Sequence, residues 1–409
     1  MEYSKMKQFL AENAYIRTGG SPEEGRCAEA IRSACAGLGL EARLEEFPVD
    51  LATIRRAELW CDGESVPCTG YACAGSGEVE APVYYLTSMD PWSLSQCRGK
   101  IVLSDKLMGY WTYKDIREAG ALAFITYNGN ANFPDSDLEP RELRTYVSEG
   151  NTIPGVHIHV NTAIRLVEKG VQRAKIVLEQ EQFQGPSRNV ILDLPGEGED
   201  TIVFSAHYDS TPTSVGVWDN LSGSVALLAL AEYFARRPHR CSLRFVWCGS
   251  EERGLLGAKA YCAAHGEELK KTVLNINLDM VGCIMGKRIA CCTSEEKLVH
   301  YIEYLASELG VPMEARQGVY SSDSTPFADH GVPAVSFARI APPNTASIHN
   351  RYDTLAVMKM EHLQEDIDFI AAFANRMANA RRCPVAREIP ENMKAKLDEY
   401  LNRKRPAAK

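Results

Sequence analysis

Residues 201–210 read TIVFSAHYDS: an apolar run ends at Ala206 and is followed at once by His207, Tyr208 and Asp209. A short run without polar alternation is the pattern of a strand covered on both faces, as in a parallel sheet. The pattern recurs on either side. Strands fit Asn189–Leu194, Ser242–Cys248, Leu274–Met280, Arg288–Cys292 and Ala334–Ala338, and helices fit Leu221–Arg237, Gly254–Ala264, Glu295–Leu309 and Met360–Ala380. Strands alternating with helices predict an α/β fold: a mixed, mostly parallel central sheet with helices on both faces.

The polar residues fall where such a sheet binds ligands, outside the carboxyl ends of its strands. Ala206 leads into His207, Cys248 into Gly249-Ser250-Glu251-Glu252, and Leu278 into Asp279. The strand ending at Ala338 is followed one loop later by His349. Asp219 stands in Gly216-Val217-Trp218-Asp219-Asn220, just ahead of a helix, where it is either a ligand or a cap. Two histidines and three or more carboxylates on one rim form a nitrogen and oxygen set suited to zinc or another borderline divalent cation. Asp209, two residues beyond His207, is placed to accept the second ring N–H of that histidine. Singly, each residue has a plainer reading as a loop histidine, a capping aspartate or a solvated glutamate pair. Asp279 is the hardest to explain so, because an unpaired carboxylate closing LNINLDMVG is costly to bury.

The remaining chain has a different texture. Residues 1–48 predict two helices and an edge strand at 42–49, the second helix starting at Ser21-Pro22 with Ser as N-cap. Residues 49–185 predict a smaller, strand-rich α+β insert, with runs such as Val83–Leu86, Lys100–Leu103 and Leu122–Tyr127, and a long polar loop at 128–149. Residues 385–409 predict a docking helix with a basic tail. The α/β domain is then discontinuous, 1–48 with 186–384.

At 409 residues, 45% hydrophobic and 24% charged, the chain is a globular protein of two or three domains. A net charge of -9 argues against nucleic acid as a partner. Its best apolar run, Val225 to Ala235, is broken by Glu232 and falls short of the ~20 residues a membrane span needs. The 13 cysteines, an odd number without CxxC pairs, and an N-terminus without an apolar signal core predict a cytoplasmic protein.

The strings AHYDS (206–210), WDNLSG (218–223), SEERGLLGA (250–258), NLDMVG (277–282), SDSTPFADHGVPAVSF (322–337) and IHNRYDTL (348–355) resemble the zinc peptidases of family M28. The middle segment, with RGKIVLSDK, REAGALAFITYN and IPGVHIHV, is similar to the protease-associated (PA) domain inserted in that family. The resemblance implies a zinc-peptidase-like sheet holding two divalent cations, most simply zinc. It implies His207 and Asp279 on one ion, Glu252 and His349 on the other, Asp219 bridging, and Glu251 as general base, with Asp209 joining Glu251 in the catalytic set. It also implies a cis peptide at Asp219-Asn220. Several members carry Tyr before the last histidine where this chain has Ile348, so Tyr320 and Tyr352 become the candidates for an oxyanion donor. The implied activity is a metal-dependent aminopeptidase acting on peptides, as a monomer or a homodimer. Alternatives are a carboxypeptidase or dipeptidase of the same fold, a glutaminyl cyclase, and a non-catalytic receptor-like scaffold.

Overall fold

A computed structural model describes residues 1–133 and 138–406. The chain divides into two compact units, Met1–Val49 with Pro186–Lys409, and Asp50–Gly185.

The first unit is organised by a mixed sheet. Four parallel strands form its centre in the order Ala334–Ile340, Thr272–Leu278, Thr201–His207 and Ser242–Cys248. Lys287–Thr293 pairs antiparallel with Ala334–Ile340 and carries the short parallel strand Glu314–Gln317 outside it. Residues 190–194 pair antiparallel with Ser242–Cys248 on the other flank. Side chains alternate across a strand, so successive residues enter different cores. Phe204, Phe245 and Leu192 join one cluster with Ile31, Leu227, Ile302 and Phe373 from four helices. Val203, Val246 and Ile191 join another with Ala258, Tyr261 and Phe327. Helices therefore cover both faces, which is why these strands read as continuous apolar runs.

The helix Ser222–Ala235 is enclosed on nearly all sides, with 11 of its 14 residues buried. A helix apolar on all sides belongs in a core. The helix Pro22–Gly37 starts as its sequence requires, with the Ser21 side chain accepting the Glu24 amide. The C-terminal helix Glu391–Tyr400 seats Met393 and Leu397 with Ile389 against Ala328 and Ala334.

The second unit has its own parallel strands, in the order Gly77–Leu86, Ile101–Ser104, Ala123–Asn128 and Gly155–His159. Two apolar clusters, around Ile125 and Phe124, fill its interior. His157 is buried there between Thr126 and Asn128, a satisfied core histidine.

Several elements differ from the sequence reading. The strand beginning at Ala42 continues to Cys61, past Asp50, which sits between Val49 and Leu51 without ending it. The polar segment 128–149 carries a short strand, Arg141–Glu142, and a helical turn, Thr145–Ser148, while residues 134–137 lie outside the described residues. Ser324–Asp329 is a helix too short to show periodicity. Among the described residues no helix is long and apolar enough to cross a membrane.

Candidate metal centre

Parallel strands in register deliver their carboxyl ends to one edge. Ser205 pairs with Asn277 and His207 with Cys248, so His207, Asp279 and the Glu251-Glu252 turn meet there. Asp219 arrives from the turn Val217–Leu221 and His349 from the loop after Ala334–Ile340. Two groups form, His207 with Asp219 and Asp279, and Asp219 with Glu252 and His349. Asp219 divides its oxygens between them: Oδ1 lies 3.1 Å from His207 Nε2, and Oδ2 lies 3.1 Å from His349 Nε2. Asp279 Oδ1 is 3.5 Å from His207 Nε2, and Glu252 Oε1 is 3.2 Å from His349 Nε2.

Polar side chains lock these segments to one another. Asp209 Oδ1 accepts the Glu251 amide at 2.9 Å and its Oδ2 accepts the Glu252 amide at 3.1 Å. The expected hydrogen bond to His207 is not made: His207 Nδ1 stands 3.4 Å from Asp209 Oδ1, outside hydrogen-bonding geometry. Asn220 donates to the Leu278 carbonyl and accepts the Met280 amide, so it straddles Asp279. The Trp218 indole donates to the Met280 carbonyl. Asp353 accepts the amides of Trp218 and Asp219 at 2.7 and 3.0 Å. The peptide between Asp219 and Asn220 is cis.

Arg17 and Glu24 act from the N-terminal segment. Fully buried, the Arg17 guanidinium donates to the carbonyls of Tyr15, Tyr208, Val215 and Gly216 around the loop that leads to Asp219. Glu24 accepts the hydroxyls of Ser187 and Ser250. Neither residue has a sequence signal beyond being charged in an amphipathic stretch. Asp353 lies inside IHNRYDTL, but nothing in that stretch marks its carboxylate as a clamp on distant backbone amides.

The electrostatics are those of a carboxylate-rich pocket. Burial opposes charge on His207, yet Glu251, Asp209, Asp219 and Asp279 hold its pKa well above the usual imidazole range. His349 is likewise raised, to about 11: burial opposes its charge, but Asp219 and Glu252 outweigh it. Burial would raise Asp219, but hydrogen bonds from both histidines bring it below the ordinary range. Burial and the Asp219 charge push Glu252 to about 7. Burial raises Glu251 well above its usual value, with Glu252, Asp323 and Asp279 adding to it.

This donor set fits divalent cations. Imidazole and carboxylate are the ligands zinc takes, and the surplus of negative charge is what such an ion balances. Asp279 Oδ1 is buried without a hydrogen-bond partner, an acceptor that a cation would satisfy. Tyr352, one of the two tyrosine candidates, is 70% exposed, whereas Tyr320 is packed where Asp279, Asp219 and Glu251 all bear on its phenol.

Residues 189–374 match the model of peptidase family M28. The matched segment contains every candidate ligand. Over its whole length the chain is similar to Aminopeptidase YwaD of Bacillus subtilis (strain 168), 27% identical across 98% of this chain and 89% of the relative. Its fold is similar to that of BSAP, a zinc aminopeptidase from Bacillus subtilis, at 25% identity and a TM-score of 0.76, covering 96% of this chain and 97% of the other. An aminopeptidase from Aneurinibacillus sp. strain AM-1 shares the fold at 23% identity and a TM-score of 0.77, covering 94% and 96% of the two chains. Together with the M28 match, these relatives support a zinc metallopeptidase.

Proposed function

We propose that this chain is a two-zinc aminopeptidase that removes N-terminal residues from peptides. The observation that carries the reading is the division of Asp219, one oxygen toward the His207–Asp279 pair and one toward the Glu252–His349 pair. His207 and Asp279 would hold one ion, Glu252 and His349 the other, and Asp219 both. When bound, two such ions polarise the scissile carbonyl and lower the pKa of a water from about 15.7 toward about 7.

Glu251 supplies the proton transfer. It takes the proton of the attacking water and returns it to the departing amine nitrogen, a role worth roughly 10²–10⁴-fold. Asp209 positions it by fixing the backbone on both sides of the Glu251-Glu252 peptide. The Tyr320 phenol is assigned to stabilise the developing oxyanion; burial and the nearby carboxylates keep it protonated.

Amino-terminal rather than carboxy-terminal cleavage rests on the activity named for the full-length relatives. We read residues 50–185 as a PA-like insert on its parallel strands, and a reducing, cytoplasmic setting fits thirteen free cysteines. A panel of aminoacyl and carboxy-terminal reporter peptides, run with and without chelator, tests the function. Hydrolysis of aminoacyl reporters that stops with chelator and returns with Zn²⁺ is expected. Cleavage of only the carboxy-terminal reporters would make the chain a carboxypeptidase.

A further inference from the structure

The two halves of the centre are tied to Asp219 by different residues. On the Asp279 side, Asn220 grips both neighbours of Asp279 and the Trp218 indole grips Met280. On the His349 side none of these bonds reaches. The loop carrying His349 approaches Asp219 through Asp353, whose carboxylate spans the Trp218 and Asp219 amides while its carbonyl accepts the Val217 amide. Asp353 is fully buried, and a turn from Asn350 joins it to His349. A second, lighter tie is Thr213, whose hydroxyl donates to the His349 carbonyl at 3.1 Å.

We infer that Asp353 is a positioning residue for one cation alone: it sets the distance between Asp219 and His349, so its loss frees the Glu252–His349 ion and spares the His207–Asp279 ion. The inference rests on the two-cation reading above. Its physical basis is that the bonds run to different ends: Asn220 and the Trp218 indole reach Leu278 and Met280 beside Asp279, whereas Asp353 joins the Trp218 and Asp219 amides to the loop of His349. Replacing Asp353 by Asn turns one acceptor into a donor facing a backbone N–H, so one of the two amides is repelled. Asp219 stays fixed toward Asp279 through Trp218 and Asn220, while His349 loses its anchor. Removing an outer partner of a ligand typically costs about 10–100-fold in metal affinity.

The test is Zn²⁺ titration of the chelator-stripped full-length protein by calorimetry, with crystals at limiting Zn²⁺ read by anomalous scattering. Wild type is expected to take two ions. Asp353→Asn is expected to keep one at near wild-type affinity and to weaken the other at least about tenfold, with anomalous density lost at Glu252–His349 only. Thr213→Val, at a half-buried site that does not touch Asp219, is expected to weaken the same ion by less, which keeps the inference testable if Asp353→Asn does not fold. Equal weakening of both ions in either folded variant would overturn the inference, as would unchanged binding in both. A wild-type protein that takes fewer than two ions would instead overturn the two-cation reading, and the inference with it.

Discussion

Ser250 donates its hydroxyl hydrogen to Glu24 at 3.0 Å across 226 residues of sequence. The bond anchors the turn carrying Glu251 and Glu252 to the helix Pro22–Gly37. Ser250 needs an anchor, since its φ of 54° is one that non-glycine residues seldom adopt. Glu24 is fully buried, and burial, followed by the charge of Asp209, raises its pKa to about 7.

That shift gives a pH dependence with a definite sign. The folded protein holds the Glu24 proton more tightly than the unfolded chain, where the reference value is 4.5. Stability therefore falls as pH rises from 4.5 to about 7, by up to about 3 kcal/mol from this group. Glu24→Gln, neutral at every pH, is expected to reduce the slope. Glu252, Asp323 and Asp353, raised by burial to about 7, 7 and 6, slope the same way and leave a remainder. Thermal melting of the chelated protein between pH 4 and 8 measures it, and a slope as steep in the variant would place the titration elsewhere.

Glu251→Gln separates proton transfer from metal binding. The amide keeps the shape of the side chain but cannot accept the proton of water. Two zinc ions per chain are expected to remain, with kcat down by about 10²–10⁴-fold. Metal analysis beside turnover on an aminoacyl reporter decides it, and unchanged turnover would remove Glu251 from the mechanism.

Asp209→Asn probes the hold on that glutamate. The Asp209 carboxylate accepts two adjacent amides, and Asn can accept only one of them. Activity is expected to fall about 10–100-fold, with kcat falling more than KM rises because the base rather than the substrate is displaced. A change confined to KM would mean that Asp209 serves binding.

Part of the candidate ligand set was legible because its signal is local. A polar residue directly after an apolar run, as at His207 and Asp279, marks the end of a parallel strand. Strand ends in one parallel sheet share an edge, which brings His207, Asp279 and the Glu251-Glu252 turn together; Asp219 stands in a turn and His349 in a loop, and the resemblance settled their place in the set. The clamps were not legible. Arg17 binds carbonyls 191 to 199 residues away, and Asp353 binds amides 134 and 135 residues away. Their partners are backbone atoms, which every residue carries and no motif names. Asp209 shows the limit most clearly. Its spacing from His207 pointed to an imidazole bond, but the fold offers it two amides from another strand end.

Gly223 of WDNLSG is a place where two known tendencies oppose each other. It lies in the helix Ser222–Ala235, where Ala is intrinsically better than Gly by about 1 kcal/mol. But a Cβ there would stand 2.4 Å from the Leu278 carbonyl oxygen and 2.6 Å from Asn220 Oδ1. Both atoms belong to the bridge that straddles Asp279, and the first is backbone that cannot turn aside. Overpacking of this kind costs about 1–3 kcal/mol, so it outweighs the helical gain. Either the helix backs away from the strand or Asn220 releases Leu278, and both moves shift Asp219 relative to Asp279. Gly223→Ala is therefore expected to lower the melting temperature and to weaken zinc binding together. Gly37, at the end of the helix Pro22–Gly37, has nothing within 4 Å of an added Cβ, so Gly37→Ala should be neutral or stabilising. Calorimetric melting and zinc titration of the two variants side by side test the contrast, and a Gly223→Ala protein as stable as Gly37→Ala would show that the bridge is slack.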